Sequence, residues 1–388
     1  MKKIVIVNNN MEIGGVQKSL CNLLWEIHER YEVTLCLFGA NGAYMDQIPA
    51  DVKIVVCSGF FRYLGASQKQ FSGTHSLIRG TMALTARLFG RNFVMPLMQL
   101  GEKNLPEQYD CAIAFLQNGN IRNYYGGTQE YVLHKIRADR KVAFLHCDYG
   151  SCGANHPVNN RLIAKFDQVA ACSDGCRVAF ENIMPELAEK SITVRNCHRY
   201  EEILQLAEKD SVEYPSDSLN VVMVSRLSHE KGIERAIESI AYAHTRAVPV
   251  MLHIVGGGSM QVELEELAVR KGLAEHVRFY GEQVNPYRYM KNADLFLMAS
   301  YHEAAPMVID EVVCLGVPVL STRTTSSEEM ITRRNCGWVC ENTQEALSKA
   351  LFEALRDDKR LRNMKEQIKT CPVRNTEAIA QFEKLIEE

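Results

Sequence analysis

Two doubly wound α/β domains, each a parallel sheet covered by helices on both faces, are what the sequence predicts, and three observations predict them. Short runs rich in Val, Ile and Leu recur along the chain and are apolar at consecutive rather than alternate positions, as strands buried on both faces require. Longer segments between them place apolar residues at helical spacing, so the chain reads βαβαβ twice over. At 388 residues the chain also exceeds the roughly 250–300 residues at which a single core stops growing.

Taken in order, the first series of strands is KIVIVN at 3–8, VTLCLF at 33–38, VKIVVC at 52–57, CAIAFL at 111–116, KVAFLHC at 141–147, QVAACS at 168–173 and ITVRN at 192–196. The second series is NVVMVS at 220–225, MLHIVG at 251–256, VRFYG at 277–281, LFLMAS at 295–300 and VPVLST at 317–322. Helical spacing is clearest in 16–30 and 261–273. Residues 1–197 are therefore expected to form a first Rossmann-like domain and 219–372 a second. A charged helix and a Pro/Ser/Asp turn make 198–218 the expected linker, and the helix in 373–388 is expected to pack back toward the first domain.

Composition narrows the function. The chain is 46% hydrophobic and 23% charged, ordinary for a globular protein. A net charge of −3 argues against nucleic acid as a partner. No stretch of roughly 18 apolar residues is present, so no spanning helix is expected. The four-residue apolar run after the N-terminal lysines reads as a first strand, not a secretory signal. Thirteen scattered cysteines, with no nearby histidine pair, read as reduced thiols of a cytosolic protein.

In open parallel sheets ligands bind beyond the carboxyl ends of the strands, so the residues just after each strand are the candidates. Gly14 and Gly15 follow the first strand and precede a helix. Such a pair lets backbone approach a ligand and leaves free N–H groups at a helix start, although an ordinary turn has the same composition. Arg226 follows the first strand of the second series directly, and Lys231 comes five residues later, before Gly232 and a helix. A guanidinium and an ammonium at a strand exit suit a diphosphate. The ordinary alternative is a solvated charged turn. The glycines of MLHIVGGGSM do not complete G-x-G-x-x-G, because Gln261 takes the last place, and the ribose-binding acid expected about 20 residues on is missing. A nicotinamide or flavin oxidoreductase is opposed by that pattern, and Gly257 and Gly258 are expected to serve close backbone packing.

Residues 300–322, SYHEAAPMVIDEVVCLGVPVLST, carry two carboxylates eight positions apart, Glu303 and Glu311. Glu303 falls on the loop after a buried strand. Pro306 falls near the first turn of the next helix, where its missing N–H costs nothing. The free amides near Ala305, Met307 and Val308 suit a phosphate oxygen. Glu311 stands among Val308, Ile309, Val312 and Val313, a poor place for an unpaired charge. A carboxylate there that accepts two hydrogen bonds suits a ribose diol, and Glu303 suits sugar hydroxyls. The alternatives are a helix-capping Glu303 and a surface Glu311.

These residues carry a resemblance. Glu303-x7-Glu311, with Pro306-Met307 inside and Gly316-Val-Pro-Val after, resembles the retaining glycosyltransferases of family 4, which have the GT-B fold: two Rossmann-like domains facing across a cleft. The early Gly14-Gly15 turn, SRLSHEKG, IVGGG, VRFYG and NADLFLMAS extend the likeness over most of the chain. One departure is Ala304, where the family usually has glycine. Alanine keeps a negative φ, so a slight shift of the loop is expected.

The resemblance implies that Arg226 and Lys231 neutralise the donor diphosphate, Glu311 holds the ribose, Glu303 touches the donor sugar and the loop near Gln283 meets the base. His146, beside Asp148, matches the family's histidine on the N-terminal side. The reaction implied is transfer of a sugar from a nucleotide-sugar, a UDP-sugar by the family's habits, with retention. No D-x-D occurs, so cations are expected to replace a metal, and no cofactor is expected. The N-terminal domain is expected to bind a saccharide acceptor, often lipid-linked in related bacterial enzymes of capsular, exo- or lipopolysaccharide synthesis. Between Val52 and Gly101 there is no acid, while Lys53, Arg62, Lys69, Arg79, Arg87 and Arg91 are interleaved with aromatic residues. That segment suits an anionic membrane surface, so Arg62, Lys69, Arg79, Arg87 and Arg91 are the expected membrane or acceptor contacts, and the protein is expected in the cytoplasm or on the inner face of the plasma membrane. A variable loop for a soluble acceptor is the alternative. A non-catalytic GT-B-like subunit that scaffolds an active partner is the competing function, opposed by retention of the cations and glutamates.

Overall fold

The computed structural model describes residues 1–371 and 373–387; the expected boundary at 372 and the last residue of the expected 373–388 segment lie outside the described residues. The chain divides into two compact units. The first holds Met1–Cys197 and the stretch from Asn375, and the second holds His198–Arg374.

The first unit is built on seven parallel strands: β1 (Lys3–Asn8), β2 (Glu32–Leu37), β3 (Lys53–Val56), β4 (Gln108–Ala114), β5 (Arg137–Leu145), β6 (Gln168–Ala171) and β7 (Ser191–Thr193), in the order β3-β2-β1-β4-β5-β6-β7. The second has β8 (Leu219–Val224), β9 (Val250–Val255), β10 (Val277–Phe279), β11 (Leu295–Met298), β12 (Val319–Thr322) and β13 (Gly337–Cys340), in the order β10-β9-β8-β11-β12-β13. Every pairing is parallel, with registers such as Ile4↔Val33 and Val222↔His253. The fold class expected from the sequence is the one found.

The apolar runs explain why. Along a strand successive side chains point to opposite faces, so a run apolar at every position feeds two cores. In β8, Val221 and Met223 join one cluster and Val222 the other; in β11, Leu295 and Leu297 join the first and Phe296 and Met298 the second. Each face is then closed by helices whose apolar stripe meets it, Ile233–His244 on one side and Met307–Cys314 on the other.

Two differences from the sequence reading stand out. Residues 198–218 do not form a free linker. The helix Tyr200–Glu208 buries Ile203 and Ala207 in the core of the second unit, and Tyr214 donates its hydroxyl to the Tyr289 carbonyl at 2.6 Å. Second, β13 is an extra edge strand, paired Gly337↔Val319. Its GWVC segment has too short an apolar run to announce itself. The C-terminal helix Thr376–Glu387 places Phe382, Leu385 and Ile386 in the core of the first unit.

Candidate functional site

Strand order reverses in the second sheet between β8 and β11. The connections after these two strands run to opposite sides and leave a crevice at their carboxyl ends, where open α/β sheets bind ligands. Arg226 and Lys231 leave β8; Glu303 leaves β11. These three residues, singled out in the sequence, therefore straddle the switch point of one sheet.

Lys231 closes a short 3₁₀ turn, His229–Lys231, and the chain then enters the helix Ile233–His244 through Gly232 at φ 61°. A Cβ at Gly232 would stand 2.2 Å from the Ala299 carbonyl oxygen, so only glycine allows both the left-handed turn and the close approach. The Lys231 Nζ meets Glu303 Oε1 at 2.7 Å, and the Ser300 hydroxyl donates to the same oxygen at 2.8 Å. Both side chains are largely shielded, 20% and 12% exposed, so the pair is a partly buried one. Ser300 is itself held, because the Thr322 hydroxyl donates to its carbonyl at 2.6 Å.

The two loops are joined directly: the Tyr301 amide donates to the Glu230 carbonyl at 2.9 Å. Arg226 stands apart from the ion pair. Its side chain is 77% exposed and touches Glu230 Oε1 at 3.3 Å. Burial works to raise the Glu230 carboxyl, but hydrogen bonds and the cations Arg226 and Lys231 outweigh it and hold the group below its usual range.

The helix Met307–Cys314 begins after Pro306, which takes the N-cap position with φ −67° and ψ 116°. Pro306 has no N–H to lose, and the first amides, including Met307 and Val308, have no partner within the helix. Ala304 keeps a negative φ. Glu311 is only 4% exposed, which removes the alternative of a surface carboxylate. Asp310, one residue earlier, is buried against Arg334 Nη1 at 2.5 Å and His198 Nε2 at 3.4 Å. Burial alone would raise it, yet the histidine and the guanidinium hold its carboxyl well below the usual range.

Gln283 lies after β10 and donates to the Tyr280 carbonyl at 2.6 Å; its neighbour Val284 is fully exposed. In the glycine loop after β9, a Cβ at Gly258 would stand 2.3 Å from the Leu227 carbonyl oxygen and one at Gly256 1.9 Å from that of Ser225. Close packing on the Arg226 loop is thus a task of Gly256 and Gly258. Gly257 has room for a side chain, its nearest neighbour being Glu282 at 3.5 Å.

In the first unit, the helix Gly15–Ile27 starts at Gly14, whose φ of −178° is ordinary extended backbone. A Cβ at Gly15 would meet nothing within 4 Å beyond its own helix backbone and chain neighbours, whereas one at Gly14 would stand 2.5 Å from Gln17 Oε1. The sequence reading missed the side chains just before it. Asn8 and Asn9 are buried, and the Oδ1 of each has no hydrogen-bond partner among the described residues. Three consecutive asparagines at a strand end were the available signal. His146 follows β5, with its ring 4.8 Å from and nearly parallel to Phe144, and 4.4 Å from Phe115. Burial pulls its pKa down to about 3, so the imidazole is neutral at pH 7. The Asp148 Oδ1 accepts from the amides of Gly150 and Ser151.

The basic segment needs a correction. Arg91 is 1% exposed and faces inward, bonded to the Tyr125 carbonyl, Asn159 and Glu130; it is a structural cation and not a membrane contact. Arg79 is committed to the Ala66 carbonyl and Gln68, and Arg62 to Tyr63 and His75. Lys69 and Arg87 are exposed.

The fold is that of GT-B glycosyltransferases. Over 100% of this chain and 99% of the other, it superposes on the crystal structure of Anabaena Alr3699/HepE in complex with UDP, with a TM-score of 0.68 at 17% identity. Residues 205–370, within the second unit, match the family model of glycosyl transferases group 1. The chain is 28% identical over 146 residues to an uncharacterized glycosyltransferase, MJ1059, of Methanocaldococcus jannaschii, covering 37% of this chain and 36% of the relative. It is 33% identical over 127 residues to the lipopolysaccharide glucosyltransferase WaaG of Escherichia coli K12, covering 32% and 34%. The matched stretches thus span about a third of the length of these relatives.

Proposed function

We propose that the protein is a retaining glycosyltransferase that moves a sugar from a nucleoside diphosphate sugar, a UDP-sugar, to a saccharide acceptor, lipid-linked, in bacterial surface-polysaccharide synthesis. The observation that carries the proposal is the shielded Lys231–Glu303 pair at the switch point of the second sheet, beside a helix start. The UDP bound in the HepE structure and the lipopolysaccharide role of WaaG support the donor and the pathway class.

In the proposed reaction the bond between the anomeric carbon and the diphosphate oxygen breaks, and a bond to the acceptor hydroxyl forms on the same face. The electron pair goes to the departing diphosphate, which takes up the acceptor's proton. Charge develops on that leaving group, so fixed cations and helix amides supply the stabilisation. Lys231, Arg226 and the amides of Met307 and Val308 fill that role. Glu303 accepts from sugar hydroxyls, Glu311 from the ribose, and the backbone near Gln283 meets the base. Neutral His146 offers a donor or an acceptor to a sugar hydroxyl. Metal independence belongs to the same proposal.

The test is release of UDP from a set of UDP-sugars, with and without EDTA. Lys231→Ala and Glu303→Ala are expected to lower turnover by about 100-fold or more, the scale of losing one group that stabilises developing charge. Equal release by wild type and both variants would remove the site assignment, and full dependence on an added divalent cation would remove the metal-free mechanism.

A further inference from the structure

The segment without acids contains the helix Gly73–Phe89, which buries only Met82 and Ala86. Its outer face carries exposed leucines beside Thr81. Leu77, Leu84 and Leu88 are 73%, 56% and 59% exposed, and their spacing of seven and four residues sets them on one stripe. Phe89, the last residue of the helix, lies 5.9 Å from the ring of Phe93, and both are exposed. A solvent-facing helix ordinarily carries its polar side outward; here exposed leucines share that side with Thr81 and Arg87, and exposed apolar clusters mark interaction surfaces.

Charge says what covers it. Arg87 is exposed between Leu84 and Leu88, and Lys69 is exposed on the turn Gln68–Gln70. That turn is fastened to the helix by Gln68, which donates to the Ser76 carbonyl at 2.8 Å. The acids that bracket the segment are both engaged: Asp51 with His28 at 2.9 Å, and Glu102, buried, with the Gly59 amide at 3.1 Å. Leucines and phenylalanines beside exposed cations are the chemistry of a helix lying in the headgroup region of an anionic bilayer.

We propose that the outer face of Gly73–Phe89, with Phe93, is a docking surface for anionic lipid, the cations at Lys69 and Arg87 drawing it to the headgroups and the leucines entering the acyl boundary. The proposal deepens the reading above, since a lipid-linked acceptor is met at such a surface, and rests on that reading only for its purpose.

The experiment is co-sedimentation of the full chain with vesicles of phosphatidylcholine containing phosphatidylglycerol, and with phosphatidylcholine alone, at low and at high salt. Binding to the anionic vesicles, weakened by salt, is expected. Leu84→Asp with Leu88→Asp is expected to weaken it about tenfold or more, and Lys69→Glu with Arg87→Glu by a similar factor. Circular dichroism checks that both variants fold. UDP release by the leucine variant is expected at the wild-type rate. A wild type that releases UDP yet ignores the vesicles overturns the docking surface and leaves the transferase reading standing; vesicle binding without UDP release from any donor does the reverse. A wild type that self-associates through the stripe, with Leu84→Asp/Leu88→Asp monomeric and no vesicle binding, assigns the face to a second copy and overturns the proposal.

Discussion

His146 shows how much one environment fixes. Enclosed by Phe115 and Phe144, with Nε2 shut off from solvent and unpartnered among the described residues, it resists protonation. Its folded pKa is about 3, against about 6.5 in an unfolded chain. Between those values the unfolded state binds a proton that the folded state refuses, so stability rises with pH through that window and falls as pH drops through it. The slope contributed is at most about 1.4 kcal/mol per pH unit. His253, held between Tyr280 and Asn220 and pulled down to about 4 by burial, adds the same sign. Urea unfolding should therefore show lower stability near pH 5 than near pH 7, and His146→Asn should flatten that dependence. An unchanged slope in the variant would mean that His146 titrates normally in the folded protein.

At the scale of an element, the loop that presents Glu303 is held from behind. Arg235, 4% exposed on the helix Ile233–His244, donates to the Ala299 carbonyl at 3.3 Å and to Asn342 Oδ1 at 2.7 Å, and its guanidinium carbon lies 4.5 Å from the centre of the Tyr301 ring. Asn342 in turn donates to the Tyr301 carbonyl at 3.0 Å. Arg235 touches none of the groups assigned to the donor, so it is a positioning residue. Arg235→Met should lower kcat about tenfold to a hundredfold through misplacement of Glu303, with the affinity for UDP little changed; Arg235→Lys should restore only part, since an ammonium lacks the planar fork. Equal losses in kcat and UDP affinity would point to general collapse of the loop. This element also marks what the sequence discloses. The strands before Lys231 and Glu303 were legible because burial on both faces writes a continuous apolar run, and the site residues were legible because they follow such runs. The burial of Arg235 and Arg91 was not, because a buried charge is made tolerable by partners remote in sequence, as Asn159 and Glu130 are for Arg91, and periodicity carries no record of them. Strand β13 escaped for the opposite reason: an edge strand with one neighbour needs no long apolar run.

For the whole molecule, the decisive feature is that the chain leaves the first unit after Cys197 and rejoins it at Asn375. Phe382 is fully buried there, edge-on to Tyr31 at 6.3 Å, and the helix is fastened by Lys2 to the Ile386 carbonyl, Arg140 to the Leu385 carbonyl and the Arg195 amide to Gln381. The second unit has cores of its own that contain no residue of this helix. Phe382→Ala should thus destabilise the first unit by about 3–5 kcal/mol, the cost of emptying a fully buried aromatic site. Hydrogen exchange reads the two units separately: amides of β1 and β2 should lose protection, while those of β8 and β11 keep theirs. If protection falls equally in both sheets, the units unfold as one cooperative body, and the C-terminal helix stabilises the entire chain and not the first unit alone.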